Sequence, residues 1–356
     1  MKSPMRQRLF SAALSGLLLS ACIASAEPTV TRIAFGSCAN QDKPQPIWEA
    51  IRRERPEAFL FLGDNIYADT DDISVMARKY RRLAEQPGFA ALRREAKVLA
   101  TWDDHDYGRD DVGEDYAQKT ASRGLLLEFF EEPAESPRWD QPGGIYTAHT
   151  FGSPGRRVQV ILLDLRWARS RLRHVARELY EKEHAPKKLG PYLPLADSSS
   201  RLMSEEQWTW LEARLREPAE VRLIGSSIQC LAEFTGWESW ANLPHERARL
   251  LSLIASTQAN GVILLSGDTH WTELSRVAEG VSYPLWELTS SGLTEVWSAI
   301  SPNRHRIGPA YAEPNYGLVA IDWDAAEPLL TLASKSAAGA PLIEQKIRLS
   351  ELRPSP

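Results

Sequence analysis

The run Phe59-Leu60-Phe61-Leu62, followed at once by Gly63-Asp64-Asn65, constrains the fold more than any other stretch of the chain. Four consecutive large apolar residues have no polar face to offer water, so a strand made of them must be covered on both sides. Such a strand belongs inside an α/β sheet and not in an open antiparallel ribbon. Gly63 then permits a sharp turn, and Asp64, Asn65 and Tyr67 follow directly. A carboxylate, an amide oxygen and a phenol make metal-binding chemistry at the place where open α/β sheets put their ligands. Turn propensity alone would also favour Gly, Asp and Asn here, so the stretch takes its meaning from the rest of the chain.

Other segments end in the same way. Residues 30–38 read as a strand ending in Gly36-Ser37-Cys38. Residues 46–55 read as a short helix that Pro56 stops, so the strand at Phe59 completes a βαβ unit with a parallel pair. Residues 73–94 have the pattern of a helix, and residues 97–102 that of a third strand running into Asp103-Asp104-His105-Asp106. After a helix at 122–130, a fourth strand at 158–163 ends in Asp164-Leu165-Arg166. Residues 169–200 are charged and then rich in Pro, Ser and Lys, a long surface excursion and a candidate lid. Ser204-Glu205-Glu206-Gln207 opens a helix with a capping-box pattern, and Trp208, Leu211 and Leu215 recur on one face. A fifth strand at 221–225 precedes Ser227 and Gln229, and a helix covers 246–257. A sixth strand at 261–265 ends in Gly267-Asp268-Thr269-His270. Residues 283–349 hold four short strands without helices between them, which reads as an antiparallel portion completing a second sheet.

Turn chemistry explains an aspartate at a strand end but has no need of cysteine or histidine. In a parallel sheet the carboxyl ends share one edge, so Cys38, Asp64-Asn65, Asp104-His105, Asp164-Arg166, Ser227-Gln229 and Asp268-His270 can converge. Thiolate, phenol, imidazole and carboxylate together suit more than one cation. Two cations a few ångströms apart can bind both the attacking and the leaving oxygen of a phosphoryl group.

These residues resemble the motifs of the calcineurin-like metallophosphatases. Gly63-Asp64-Asn65-Ile66-Tyr67 is similar to the GDxxY block of members that bind Fe(III) through tyrosine. Asp103-Asp104-His105-Asp106 stands in the place of their GNH(E/D) block, and Gly267-Asp268-Thr269-His270 in the place of GHxH. Gly36-Ser37-Cys38 replaces the opening DxH block, and with Trp102-Asp103-Asp104-His105 this resembles the alkaline phosphatase D-like (PhoD-like) branch over residues 30–349. The resemblance implies an α/β fold, a four-layer α/β/β/α sandwich of two mixed sheets. It implies a metal-dependent phosphoric ester hydrolase in which hydroxide attacks phosphorus at a multi-metal site. Asp64 is then expected to bridge the metals, with Cys38, Tyr67 and His270 on an iron ion (Fe3+). Asn65, Asp104 and Asp268 are expected on a second ion, calcium or another divalent cation.

In the same resemblance His105 faces the phosphate as an acid or hydrogen-bond donor. Arg166 is a candidate phosphate clamp, since a guanidinium can hold two oxygens at once. Asp164 is placed beside it in the catalytic group, a structural ion pair between the two being the alternative. Trp237, Trp240 and Trp297 either wall a substrate pocket or pack in the core. Two rival functions stay open: a phosphodiesterase or phospholipase on the same scaffold, and a surface protein that binds metal or substrate without catalysis.

The first 26 residues read as an export signal and residues 27–356 as a single metallophosphatase domain. Lys2, Arg6 and Arg8 precede an apolar stretch at 9–19 that is too short to span a bilayer. Ala24-Ser25-Ala26 fits ordinary signal cleavage, whereas Leu19-Ser20-Ala21-Cys22 resembles a bacterial lipobox that would make Cys22 a lipid anchor. Either route predicts an exported protein, periplasmic or membrane-anchored. Export permits disulfides, so a Cys38–Cys230 bridge competes with Cys38 as a thiolate ligand. The net charge of -5 gives no reason to expect a nucleic-acid or anionic-membrane partner.

Overall fold

A computed structural model describes residues 28–354. The segment expected to be an export signal, with Cys22, lies outside the described residues. β1 (Arg32–Gly36), α1 (Ile47–Arg53) and β2 (Ala58–Leu62) form the expected βαβ unit. All five residues of β2 are buried, and it pairs in parallel with β1 on one side and with β3 (Lys97–Thr101) on the other. Strand periodicity sorts its side chains onto two faces. Phe59 and Phe61 pack outward against Trp48 of α1, with ring centroids 5.4 and 5.9 Å away. Ala58, Leu60 and Leu62 turn inward to a core shared with the second sheet.

Between β2 and β3 run α2 (Ile73–Ala84) and α3 (Pro87–Glu95). The single helix expected over 73–94 is therefore two. Pro87 has no N–H to continue the preceding turn and instead occupies the first turn of α3. One turn, α4 (Asp104–Tyr107), follows β3, and α5 (Lys119–Phe129) packs over the outer face of the first sheet.

The second sheet begins with β4 (Thr147–Phe151), antiparallel to β5 (Val158–Leu162). The excursion contains a two-residue pairing of β6 (Arg173–His174) with β7 (Tyr192–Leu193), and between them the short α6 (Arg177–Leu179). Then come α7 (Glu205–Arg216), β8 (Val221–Ser226), α8 (Pro244–Ser256), β9 (Val262–Ser266), β10 (Thr272–Val277) and β11 (Leu285–Ser290). The order is β10-β11-β9-β8-β5-β4, with β5, β8, β9 and β11 parallel and the two edges antiparallel. Ser204 caps α7 by accepting the Gln207 N–H at 3.2 Å, but the Gln207 side chain does not return to the cap. It pairs with the backbone of Asp164 instead.

β12 (Asn315–Asp322), β13 (Leu329–Ser336) and β14 (Pro341–Arg348) form an antiparallel meander. They do not complete the second sheet, as expected from the sequence, but extend the first through β1, in the order β14-β13-β12-β1-β2-β3. A strand's own pattern sets its buried face and not its neighbour. Both sheets are mixed, and they pack face to face with helices outside, giving the four layers. Gly225 marks one close approach between them: a Cβ there would lie 2.6 Å from Leu162 and 2.8 Å from Leu62. Among the described residues no helix is long and apolar enough to cross a membrane.

Candidate metal centre

The chemistry-bearing strand ends converge, but from two sheets and not one. Cys38, Asp64 and Asp104 follow β1, β2 and β3 of the first sheet; Asp268 and His270 follow β9 of the second. Donor atoms of Cys38, Asp64 and His270 lie within 4.8 Å of one another, and so do those of Asp64, Asp104 and His105. Asp64 belongs to both groups and sits between them. The Cys38 thiol is 3.3 Å from Asp64 Oδ2, and the Tyr67 hydroxyl is 3.4 Å from the same oxygen and 3.1 Å from His270 Nε2. Cys38 and Cys230 are both free, so the disulfide alternative is not realised.

The local backbone is bent to bring these groups inward. Cys38, Asp64, Asp268 and His270 have φ of 64°, 49°, 71° and 62°, the left-handed region that side chains generally avoid. Gly63, at φ 97°, makes the turn before Asp64; a Cβ there would lie 2.5 Å from that of Asp103. Asn65 points its amide nitrogen at the Thr101 carbonyl, 2.9 Å away, and at Asp106, which leaves Oδ1 buried without a partner. Asp64 Oδ1, Asp103 Oδ2 and Asp104 Oδ1 are likewise buried and unpartnered.

Lone pairs orphaned in this way, on carboxylates crowded together, fit cations. Burial, then the charge of Cys38, pushes Asp64 well above the usual carboxylate range. Burial likewise raises Asp268, takes Asp103 up to about 6 against the pull of Arg166, and takes Asp106 up to about 8. Burial also pushes the Cys38 thiol up to about 12 and holds His270 down to about 4. In metal-stripped protein the folded state therefore keeps protons that the unfolded carboxylates, at about 4, have released. Stability contributed this way is present at low pH and lost as pH rises. His270 works in the opposite sense over roughly pH 4–6.5, one group against Asp64, Asp103, Asp106 and Asp268. The expected result is that chelated protein melts at a higher temperature at about pH 5.5 than at about pH 7.5. Added cation should flatten that slope. A chelated protein that loses stability on acidification over this interval would contradict the argument.

His105 lies on α4 with its side chain 17% exposed. Its Nδ1 is 2.6 Å from Asp69 Oδ1 and its ring stacks on Tyr67 with centroids 4.2 Å apart. Burial disfavours its charge, but Asp104, Asp64 and Asp69 outweigh that and push it up to about 12. With His105 and Arg166 beside it, Asp104 is held below the usual carboxylate range despite its burial.

Two expected roles are corrected. Arg166 is fully buried and does not reach the cavity. Its Nε donates to Asp103 at 2.5 Å, and Nη2 lies 2.5 Å from Glu238 and 3.6 Å from Asp104. In this arrangement it holds carboxylates from behind, with Nη1 left unpartnered, and does not take the clamp position expected of it. Asp164 is outside the site altogether: its carboxylate accepts the backbone N–H groups of Ile145, Arg166 and Trp167 at 2.8–2.9 Å. It organises the turn after β5, and it makes no ion pair with the Arg166 guanidinium. Gln229 is bound into a buried network with Glu273 and Thr289, and Ser227 donates to Asp103 at 2.7 Å. Trp240 packs in the core, its indole N–H on Ser226. Asp103, Asp69 and Glu238 are participants that the sequence reading assigned no role. Arg166→Gln is accordingly expected to weaken divalent-metal affinity roughly 10–100-fold, the usual cost of removing a partner that orients ligands. Equilibrium dialysis checks this; a clamp would leave metal affinity alone and raise KM.

A cavity of about 200 Å³ opens over this cluster, lined by Asp104, His105, Asp268, His270 and several tryptophans. The family described as PhoD-like phosphatase matches residues 33–315. No curated protein gives a significant sequence match. Among solved structures the chain is similar to PhoD at 15% identity, with a TM-score of 0.69 over 93% of this chain and 72% of that one. It is similar to GAP50, the anchor in the inner membrane complex of Plasmodium, at 12% identity and TM-score 0.56, covering 92% and 90%. A dimetal phosphatase from Danio rerio aligns at 15% identity and TM-score 0.51, covering 90% and 99%. At these identities the neighbours speak for the fold alone.

Proposed function

The chain belongs to the PhoD-like phosphatase family, and from that premise we propose that it is an exported, iron-containing phosphoric ester hydrolase. The observation that carries the reading is the run of overlapping donor clusters, Cys38 with Asp64 and His270, Asp64 with Asp104 and His105, and Asp104 with Asp103 and Asp268, with the Tyr67 hydroxyl 3.1 Å from His270. The fold by itself would not carry it, because one structural neighbour is described as an anchor. Thiolate, phenolate and imidazole on one side of Asp64 suit Fe(III), and the oxygen donors on the other suit calcium or another hard divalent ion. When bound, the ions supply positive charge against the phosphoryl oxygens and a nucleophile at neutral pH. The chain's own residues do the rest. Asp64 holds both sides of the centre in register, and Arg166 fixes Asp103 and Asp104 behind it. Asp69 fixes one nitrogen of His105, which leaves Nε2 to donate to the departing oxygen. Export, through ordinary cleavage or a lipid on Cys22, belongs to the same proposal and rests on the sequence of the first 26 residues.

A specific feature favours a diester as a second reading. A larger cavity of about 570 Å³, bordered by Arg109, Arg171, His174 and Tyr192, adjoins the first and shares Asp110 and Asp111 with it. It offers room for the second alcohol of a diester. Elemental analysis with chelation and metal add-back, followed on a monoester and a diester chromogen, tests both readings. Metal-independent turnover sinks them, and no turnover of either ester leaves a binding protein.

Iron makes a further testable demand. Burial raises both Cys38 and Tyr67, so a strongly charged cation is needed to take their protons. Thiolate and phenolate then donate electron density to Fe(III), and the loaded protein should be coloured. Tyr67→Phe and Cys38→Ser should each shift or weaken the visible band, and dithionite should bleach it. A colourless but active protein would remove iron from the proposal.

A further inference from the structure

One wall of the cavity is not used by the chemistry above. Trp237, Trp271 and Trp297 line it. Trp237 and Trp297 meet edge to face with ring centroids 5.7 Å apart, yet Trp297 remains 45% exposed. Its place is nonetheless fixed. The Trp297 N–H donates to the His270 carbonyl at 2.9 Å, and the N–H groups of Thr294 and Glu295 donate to the Cys38 carbonyl at 3.0 and 3.3 Å. The loop that presents Trp297 thus hangs from the backbone of two residues of the metal centre. Trp237 is held from the other side. Tyr192 N–H donates to the Gly236 carbonyl at 2.9 Å, and Glu238 is buried against Arg166 and Arg169.

Deeper in the wall, Trp271 is only 3% exposed and its indole N–H finds no partner. The hydroxyl of Thr269 beside it is also buried and unpartnered. Buried indole N–H groups ordinarily find an acceptor, and none of the described residues supplies one here. Size narrows the choice. An apolar cavity of about 150 Å³ holds one benzene, so about 200 Å³ beside the metal centre has room for a single ring.

We propose that Trp237, Trp271 and Trp297 form a leaving-group subsite for a phosphate ester whose alcohol carries a single aromatic ring with a hydrogen-bond acceptor. The ring packs against Trp297 and Trp237, and its acceptor takes the Trp271 N–H. The inference rests on the phosphoesterase reading, but its test does not depend on turnover. Calorimetry of metal-loaded protein with benzylphosphonate and ethylphosphonate, which have no ester bond, reads the subsite directly. Benzylphosphonate should bind at least ~10-fold more tightly, the order that stacking on an aromatic side chain supplies. Trp297→Ala should erase most of that preference and Trp297→Phe should keep part of it. A carbonyl added at the para position of the ring should tighten binding further, and Trp271→Phe should cancel that gain. Equal affinities in the unmodified protein, or a preference untouched by Trp297→Ala, would overturn the subsite. Hydrolysis of benzyl and ethyl phosphate, whose leaving alcohols are of similar acidity, then separates the two ideas. Selective phosphonate binding without hydrolysis of either ester keeps the ring site and removes the phosphoesterase reading. Hydrolysis of both without preference, together with equal phosphonate binding, does the reverse.

Discussion

Replacing Asp64 with asparagine is expected to strip metal from the protein and to lower turnover by at least ~10²-fold, on the scale of losing a main electrostatic element of a site. Asp64 is the carboxylate shared by the thiol side of the centre, with Cys38 and His270, and the oxygen side, with Asp104. Asparagine keeps the shape and halves the lone pairs that can face cations. It also removes the charge that would balance two of them. The amide brings two new donors to a place where Cys38 and Tyr67 already offer theirs at 3.3 and 3.4 Å. The burial that pushes Asp64 above its ordinary range no longer acts on an acid, so the chelated variant should also lose the part of its pH-dependent stability that Asp64 contributes. Metal content by elemental analysis and melting temperature with and without chelator make the two measurements. Full metal occupancy with near-normal turnover would remove Asp64 from the centre.

His105→Ala should lose ~10²–10⁴-fold in kcat, the range of general acid catalysis, while the protein keeps its metal. The ring is anchored at Nδ1 by Asp69 and stacked on Tyr67, so it is presented to the cavity in one orientation. It also lies within 4.8 Å of donor atoms on Asp64 and Asp104, and the metal content of the variant is for that reason the deciding readout. A variant purified without metal makes His105 a ligand. Asp69→Asn should reproduce part of the rate loss with metal retained, since it unfixes the ring without removing it.

Residues 38, 64, 104, 268 and 270 were legible because their chemistry is out of place in ordinary turns and because each follows an apolar run. The left-handed φ values of Cys38, Asp64, Asp268 and His270 explain part of the rest: bent backbone turns these side chains inward, and Gly63 announces one such bend. Arg166 and Asp164 were misread for a physical reason. Two residues apart at a strand end, they look like partners, but the N–H groups of Ile145 and Trp167 claim the carboxylate while Glu238 and Asp103 claim the guanidinium. Of those competitors, Ile145, Asp103 and Glu238 lie far away in sequence. Asp103 was overshadowed by Asp104, its neighbour in the same block, and Glu238 sits in a tryptophan-rich loop that reads as packing. The helix break was legible at Pro87 and was outweighed by the periodicity on either side of it. The destination of the C-terminal meander was not legible, since the residues of β12 would suit the edge of either sheet.

The metal centre draws on both sheets, and this makes it a clasp between halves that are made at different times. Tyr67 and His270 are 203 positions apart, so a chain emerging end first carries one jaw long before the other exists. A pre-formed site is absent from the unfolded state, and closing so long a loop is part of folding and not of metal capture. Any cation that this site takes would therefore meet it complete only once both jaws have folded together.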